Sequence, residues 1–463
     1  MLTSLAVVIT GCSVSPETRL RRGLAVQDSG DIHLPSGVIE ISSELHLAAG
    51  ARDLNLIGNH TVLKAAANFH GRALLVIEHA ANIQLQDFTI DGNRDALHRT
   101  SELVPPENAF RIWYRDSGIL CDEVEGLHIS HLELKNVASF PILVSRSSDV
   151  HIEGVDVSDS GTLNAKGRNN TTGGILLEEG TLKFDVTGSK FNNIRGNGLW
   201  THSLRTSPRG FDGLFANNEF DGVGRDAIQV GHATRVRVFD NIIRNVGFPS
   251  EQVDVENGGT PVGIDTAGNV GQSIYARNHF EEINGKCFDL DGFHDGNVRD
   301  NTCLNKRPPA DYPFGHYGIV MNNTDPDMNA RGIEISGNHF DGMKFGALYL
   351  IGSGHRILGN QFLNVNTAGC NDNLQFGCLF KPDEPDLLRS GIYVARGVAR
   401  LEETKGNLIR DNTITGHGME LNCVKFAPGV DATQNQNVAN HCSDHLDEPM
   451  PRKDNAPETP KKK

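Results

Sequence analysis

The sequence predicts an all-β solenoid, a parallel β-helix coiled from short strands, and three observations lead there. First, an asparagine recurs ahead of an apolar residue: Asn218-Glu-Phe220, Asn241-Ile-Ile243, Asn278-His-Phe280, Asn301-Thr-Cys303, Asn338-His-Phe340, Asn360-Gln-Phe362 and Asn412-Thr-Ile414. The steps between them are 23, 37, 23, 37, 22 and 52 residues. A unit of 22 or 23 residues, enlarged in places by insertions, is the mark of stacked repeats. Second, the text around each asparagine alternates apolar with polar or small residues, as in Gly332-Ile-Glu-Ile-Ser-Gly-Asn338 and Phe345-Gly-Ala-Leu-Tyr-Leu-Ile351. That is the period of a strand. Third, no central segment sustains a helical period, and 50 glycines with 6% aromatic residues suit a chain that turns a corner every few residues. Asparagine tolerates the left-handed backbone of a tight corner, and stacked asparagines can bond from rung to rung.

The elements follow in chain order. Met1 to Ser13 is apolar and ends in Ile-Thr-Gly-Cys12, which resembles a bacterial lipoprotein signal although no Lys or Arg precedes it. Residues 1–14 are therefore expected to direct export, with Cys12 lipidated and the protein periplasmic or at the cell surface. Ser15-Pro16-Glu17, then Leu20, Leu24 and Val26, predicts a short helix capped by Ser15 that closes the solenoid's end. Gly30–Ile41 resembles the first rung of a known superfamily, and Phe88-Thr-Ile-Asp-Gly-Asn-Arg94 is another phrase typical of it. The solenoid is assigned to residues 15–445. The tail, 446–463, is rich in proline and lysine and reads as disordered. Cys370 with Cys378, and Cys423 with Cys442, are candidate disulfides in an oxidising compartment. Cys303 takes the place of an inward Phe and reads as a small buried hydrophobe; Cys121 and Cys287 have no assignment.

These phrases resemble the pectin-lyase-like right-handed parallel β-helix superfamily over roughly residues 16–442. The resemblance implies a right-handed coil and a substrate groove along one sheet. It leaves the reaction open, because the superfamily hosts lyases, hydrolases, epimerases, transferases and adhesins. Some of its members are trimers, so monomer and homotrimer both stand.

One strand per rung has the form Gly-Ile-x-Val, from Gly118-Ile-Leu-Cys to Gly391-Ile-Tyr-Val. The insertions, among them 204–209, 247–259, 306–316, 323–331 and 367–389, flank these strands and are expected to wall a groove above them. Alternation then selects the outward residues. One column reads Leu176, Trp200, Gln229, Asp265, Asp289, Val320, Tyr349, Tyr393; the next contains Glu178, His202, Gly231, Ala267, Asp291 and Asn322. His232, His294 and Asp295 lie just beyond.

Asp265 and Asp289 are expected about 5 Å apart as stacked neighbours, and Asp265 and Asp291 about 8 Å apart on the diagonal. The first spacing suits a retaining glycosidase and the second an inverting one. Crowded carboxylates retain a proton and so supply a general acid. Asp265, Asp289 and Asp291 are thus the candidate catalytic residues, with His202 and His294 assisting proton transfer. Glu178, Gln229, His232 and Asn322 are candidate sugar-binding groups, and Trp200, Tyr349 and Tyr393 offer flat ring faces. A bland reading stands beside this: outward Asp on a solenoid is ordinarily a solvated side chain. Asp289, Asp291 and Asp295 could alternatively hold Ca²⁺; no other cofactor is implied.

A net charge of −15 argues against nucleic acid and anionic membranes as main partners. A β-eliminating lyase needs a basic residue on the floor, and the outward columns hold none near Asp289; Arg225 and Arg235 only border it. The expectation is an exported enzyme acting on a carbohydrate polymer or oligomer, hydrolase or transferase ahead of a Ca²⁺-assisted lyase. A non-catalytic carbohydrate-binding solenoid is the rival.

Overall fold

The computed structural model describes residues 14–255, 260–325, 327–370, 378, 381, 383–398 and 400–445. The expected export segment with Cys12 and the expected disordered tail lie outside the described residues, apart from residue 14. The helix Pro16–Val26 opens the chain, with Ser15 accepting from the Thr18 N–H at 3.1 Å and Pro at the first turn. Leu20 and Leu24 are buried against the first rungs, whereas Val26 is exposed and takes no part in the cap.

From there every strand pairs in parallel with its counterpart one rung away. Three faces run the length of the molecule. The face that becomes the floor of the site comprises Ile142–Ser145, Ile175–Glu178, Leu199–His202, Asp226–Gly231, Val262–Ala267, Lys286–Asp291, Ile319–Asn322, Leu348–Leu350, Ile392–Val394 and Val424–Phe426. The core is the single apolar column that the inward residues of all three faces fill, including Ile228, Ile264, Phe288 and Ile319, each fully buried.

The asparagine ladder stands inside a corner of this coil. Each ladder asparagine is buried. Its Oδ1 accepts from the backbone N–H and Nδ2 of the asparagine on the rung before, through Asn218, Asn241, Asn278, Asn301, Asn338, Asn360, Asn412 and on to Asn440, with side-chain bonds of 2.8–3.0 Å. Nδ2 also donates to a backbone carbonyl, as from Asn301 to Tyr275 O at 3.0 Å. The ladder asparagines are not themselves left-handed. The residue before each one is: Asn217, Asp240, Arg277, Asp300, Gly337, Gly359 and Asp411 have φ of 56–63°. That division of labour has a physical cause. The left-handed residue turns the chain outward, and the next side chain then points in, where a group with two donors and an acceptor can saturate the corner's backbone.

Cys370–Cys378 and Cys423–Cys442 are disulfides. Cys303 is buried as expected but is not a free hydrophobe: it bonds Cys287, tying the floor strand Lys286–Asp291 to the strand Thr302–Leu304 through the core. Cys121 is the free, buried thiol among the described residues.

Candidate active site

The floor strands stack in the register that alternation predicts. Leu176, Trp200, Gln229, Asp265, Asp289, Val320, Tyr349 and Tyr393 are consecutive partners across the rungs. Glu178 pairs with His202, and Asp291 with Asn322.

The floor is not open along its whole length. Residues 99–116 cross its early rungs, and Phe110 packs edge-on against Trp200 with ring centroids 5.0 Å apart. Trp200 is only 2% exposed, in a cluster with Leu120, Phe140, Leu143, Leu176 and Tyr114. It is core under a lid, not a sugar platform. Glu178 is sealed beneath the same segment, accepting from the N–H groups of Phe110 and Arg111 at 2.9 and 3.0 Å. The far end is roofed too. Tyr393 and Tyr349 are buried, Tyr393 donating to Glu384 Oε2 at 2.8 Å, and Leu387 and Leu388 pack in the same roof. Tyr393 is therefore withdrawn from any substrate.

Between the two roofs lies the stretch from Gln229 to Val320, three rung steps or about 14 Å. Here the polar side chains interlock. Asn197 Nδ2 donates to Gln229 Oε1 at 3.0 Å, and Gln229 Nε2 donates to Asp265 Oδ2 at 2.5 Å. Lys286 Nζ donates to Asp289 Oδ2, while Asp289 Oδ1 is buried without a partner. Asp226, 3% exposed and beside Arg225, completes the group. Burial raises the Asp265 carboxyl well above the usual range, and the Asp226 and Asp289 charges add to it. Burial likewise pushes Asp226 up to about 6, against the pull of Arg225. Burial opposes the charge on Lys286, but Asp289, Asp265 and Asp226 outweigh it and hold the ammonium above its ordinary value. The cluster therefore sets Asp265, its carboxyl raised, next to an Asp289 that is paired with a cation.

Asp226 and Lys286 escape a count of alternate positions. Each sits three residues ahead of a floor residue, Gln229 and Asp289, where the strand is still leaving its corner and strict alternation does not hold. The outward columns hold no basic residue near Asp289, but Lys286 reaches it from the corner.

Two hollows flank the cluster. One, of about 280 Å³, is lined by His202, Arg205, Gln229, His232, Asp291 and Asp325 among others. The other, of about 200 Å³, is lined by Lys286, His316, Val320, Asn322 and Tyr349 among others. His316 comes from the 306–316 insertion and was invisible to strand counting; burial, with Lys286 and Lys344 nearby, drops its imidazole to about 3 and its Nδ1 has no partner. His232 is also lowered by burial.

Asp291 is committed elsewhere. Both its oxygens accept from Thr324, at 2.7 Å from the N–H and also from the hydroxyl, so it anchors the 323–331 wall. His294 and Asp295 lie past the floor strand, His294 Nδ1 bonding Asp295 at 2.8 Å and Arg331 pairing with Asp295 at 3.1 Å. Asp289, Asp291 and Asp295 consequently do not converge as a calcium cage. The group of metal-competent atoms that the described residues do bring together is Glu178, Glu179 and His202.

Residues 173–364 match the family model described as a right handed beta helix region. No curated protein sequence matches the chain. Among solved structures it is similar to bacteriophage phi29 gene product 12, at 12% identity over 88% of this chain and 55% of that one, TM-score 0.54. It is similar to the Dettilon tailspike protein at 14% identity over 91% and 67%, TM-score 0.52. The catalytic domain of a GH87 alpha-1,3-glucanase in complex with tetrasaccharides aligns at 11% identity over 77% and 64%, TM-score 0.47. The chain spans between about half and two thirds of the length of these three proteins. At such identities the likeness is one of fold, and the fold of this chain is the right-handed parallel β-helix.

Proposed function

We propose that the protein is a glycoside-cleaving or glycosyl-transferring enzyme that works on a short oligosaccharide or a chain end, with Asp265 as general acid and Asp289 as nucleophile. The observation that carries this reading is the stacked pair itself: Asp265 raised well above the usual carboxylate range, and Asp289 one rung away in partnership with Lys286. Stacked carboxylates stand about 5 Å apart, the separation of a retaining mechanism. Asp265 would protonate the glycosidic oxygen as the bond breaks. Asp289 would take the sugar as a glycosyl ester, and water or an acceptor hydroxyl would release it while Asp265 recovers its proton.

The protonated Lys286 speaks against β-elimination, which needs an unprotonated base. The roofs over Trp200 and Tyr393 speak against a long polymer lying along the floor, since about 14 Å holds few sugar rings. The three disulfides suit a chain exported from the reducing cytosol.

The test is a panel of oligosaccharides and polysaccharides read for new reducing ends and for the absorbance of unsaturated products. New reducing ends without unsaturation, abolished in Asp289→Asn, are expected. Unsaturated products, or full activity in Asp289→Asn, would overturn the reading.

A further inference from the structure

Glu178 ends one floor strand and His202 ends the next, and the two are register partners. Glu179 follows with a left-handed backbone, φ 53°, which brings its side chain to the same side as its neighbour's. One oxygen from each carboxylate and one imidazole nitrogen all lie within 4.8 Å of one another.

Two further facts separate this group from an ordinary acidic cluster. Glu178 is 0% and Glu179 8% exposed, yet among the described residues neither forms an ion pair with Lys or Arg. Arg111 pairs with Asp122, and Arg146 with Asp122 and Glu123. Buried carboxylates are as a rule paired or bound to a metal. In addition, His202 Nδ1 is sealed from solvent and has no hydrogen-bond partner, although its ring packs against Phe110 at 4.7 Å between centroids.

We propose that Glu178, Glu179 and His202 bind a divalent transition-metal ion at the wall of the 280 Å³ cleft that His202 lines. An imidazole with two carboxylates suits Zn²⁺ or a similar first-row ion better than Ca²⁺, which takes oxygen ligands. Tetrahedral zinc with bonds of about 2.0–2.2 Å needs its ligand atoms roughly 3.4 Å apart, so a modest contraction of side chains closes the site. The backbone bonds that Glu178 accepts from Phe110 and Arg111, and Glu179 from Leu204 at 2.9 Å, orient the carboxylates and leave lone pairs for an ion. Three protein ligands leave a fourth position for water or a sugar hydroxyl. The site stands apart from Asp265 and Asp289 and does not depend on their assignment.

The experiment uses the chelator-stripped full chain and Zn²⁺ alone, followed by isothermal titration and by elemental analysis after dialysis. Glu179→Gln keeps an acceptor for the Leu204 N–H, and His202→Phe keeps the aromatic contact with Phe110. Expected is one tightly held ion in the wild type, with affinity at least about ten-fold weaker in each variant. Exposed histidines such as His151, beside Asp185, bind equally in all three proteins and set the background. Wild type without zinc above that background, or variants that match it, overturn the proposal. The X-ray absorption spectrum of zinc-loaded wild type decides independently of how the variants fold: one nitrogen among oxygen ligands is expected, and a shell of several imidazoles overturns the site.

Discussion

Lys286 donates through Nζ to Asp289 Oδ2 at the centre of the open floor, with 14% and 12% of the two side chains exposed. A pair this enclosed contributes less to stability than its geometry suggests, because both ions have left water. Removing one partner, however, strands the other charge.

Lys286→Met is accordingly expected to destabilise the fold by about 3–5 kcal/mol, and Lys286→Met/Asp289→Leu to recover most of that loss. Urea unfolding at pH 7 measures both. A single variant as stable as wild type would show that the pair is solvated and the floor more open than described.

Asp226 has no position from which to touch substrate directly, being 3% exposed, but its charge is the largest contribution after burial to the raised Asp265 carboxyl. A general acid must be protonated, so activity is expected to fall as pH rises through the ionisation of this carboxylate group. Asp226→Asn removes the repelling charge and lowers the Asp265 value. The alkaline limb of kcat/KM should move to lower pH, with less than about a ten-fold change at the optimum. An unmoved limb would assign the proton to another group.

The asparagine ladder invites a stability test. Asn301 Oδ1 accepts from the Asn278 N–H and Nδ2, while its own Nδ2 donates to Tyr275 O and Asn338 Oδ1. Asn301→Ala leaves buried donors and an acceptor unmatched on two rungs. The expected cost is at least about 3 kcal/mol, since each stranded group costs about 1–3 kcal/mol. Denaturant melts read it directly, and an Asn360→Ala variant should behave alike because it makes the same four kinds of contact.

The fold was legible because the solenoid repeats its own constraints: one ladder position, one strand type and one corner recur until register is over-determined. The column from Leu176 to Tyr393 could therefore be aligned residue by residue. What lay outside that periodicity stayed hidden. Residues 99–116 roof Trp200 through Phe110, and no repeat signal marks such a cover. Lys286 and Asp226 act from the corners, where alternation lapses. Asp291 looked as available as Asp289 until the Thr324 hydroxyl and N–H were found on it. The Cys287–Cys303 bond joins two faces through the core, a contact that strand spacing cannot anticipate.

His355 supplies a pH test of the fold that is independent of the site. It is fully buried, its Nδ1 accepts from the Ile333 N–H at 3.1 Å, and its Nε2–H donates to Ile351 O at 2.9 Å. Both nitrogens are thus used in the neutral form. Burial lowers the imidazole to about 4, only partly offset by the bond to Ile351. The unfolded chain takes up a proton near pH 6.5, whereas the folded chain refuses it until about pH 4. Stability present at pH 7 is therefore lost as pH falls through that window, by up to about 3 kcal/mol from this residue. His202 and His316 act in the same direction, so the acid slope of the wild type is a sum. His355→Gln isolates one contribution: less stable at pH 7 through lost packing, it should lose less on acidification, with a slope shallower by as much as one proton. Urea unfolding at pH 7 and pH 4.5 gives the comparison, and equal losses in the two proteins would mean that His355 is already charged or solvated in the native state.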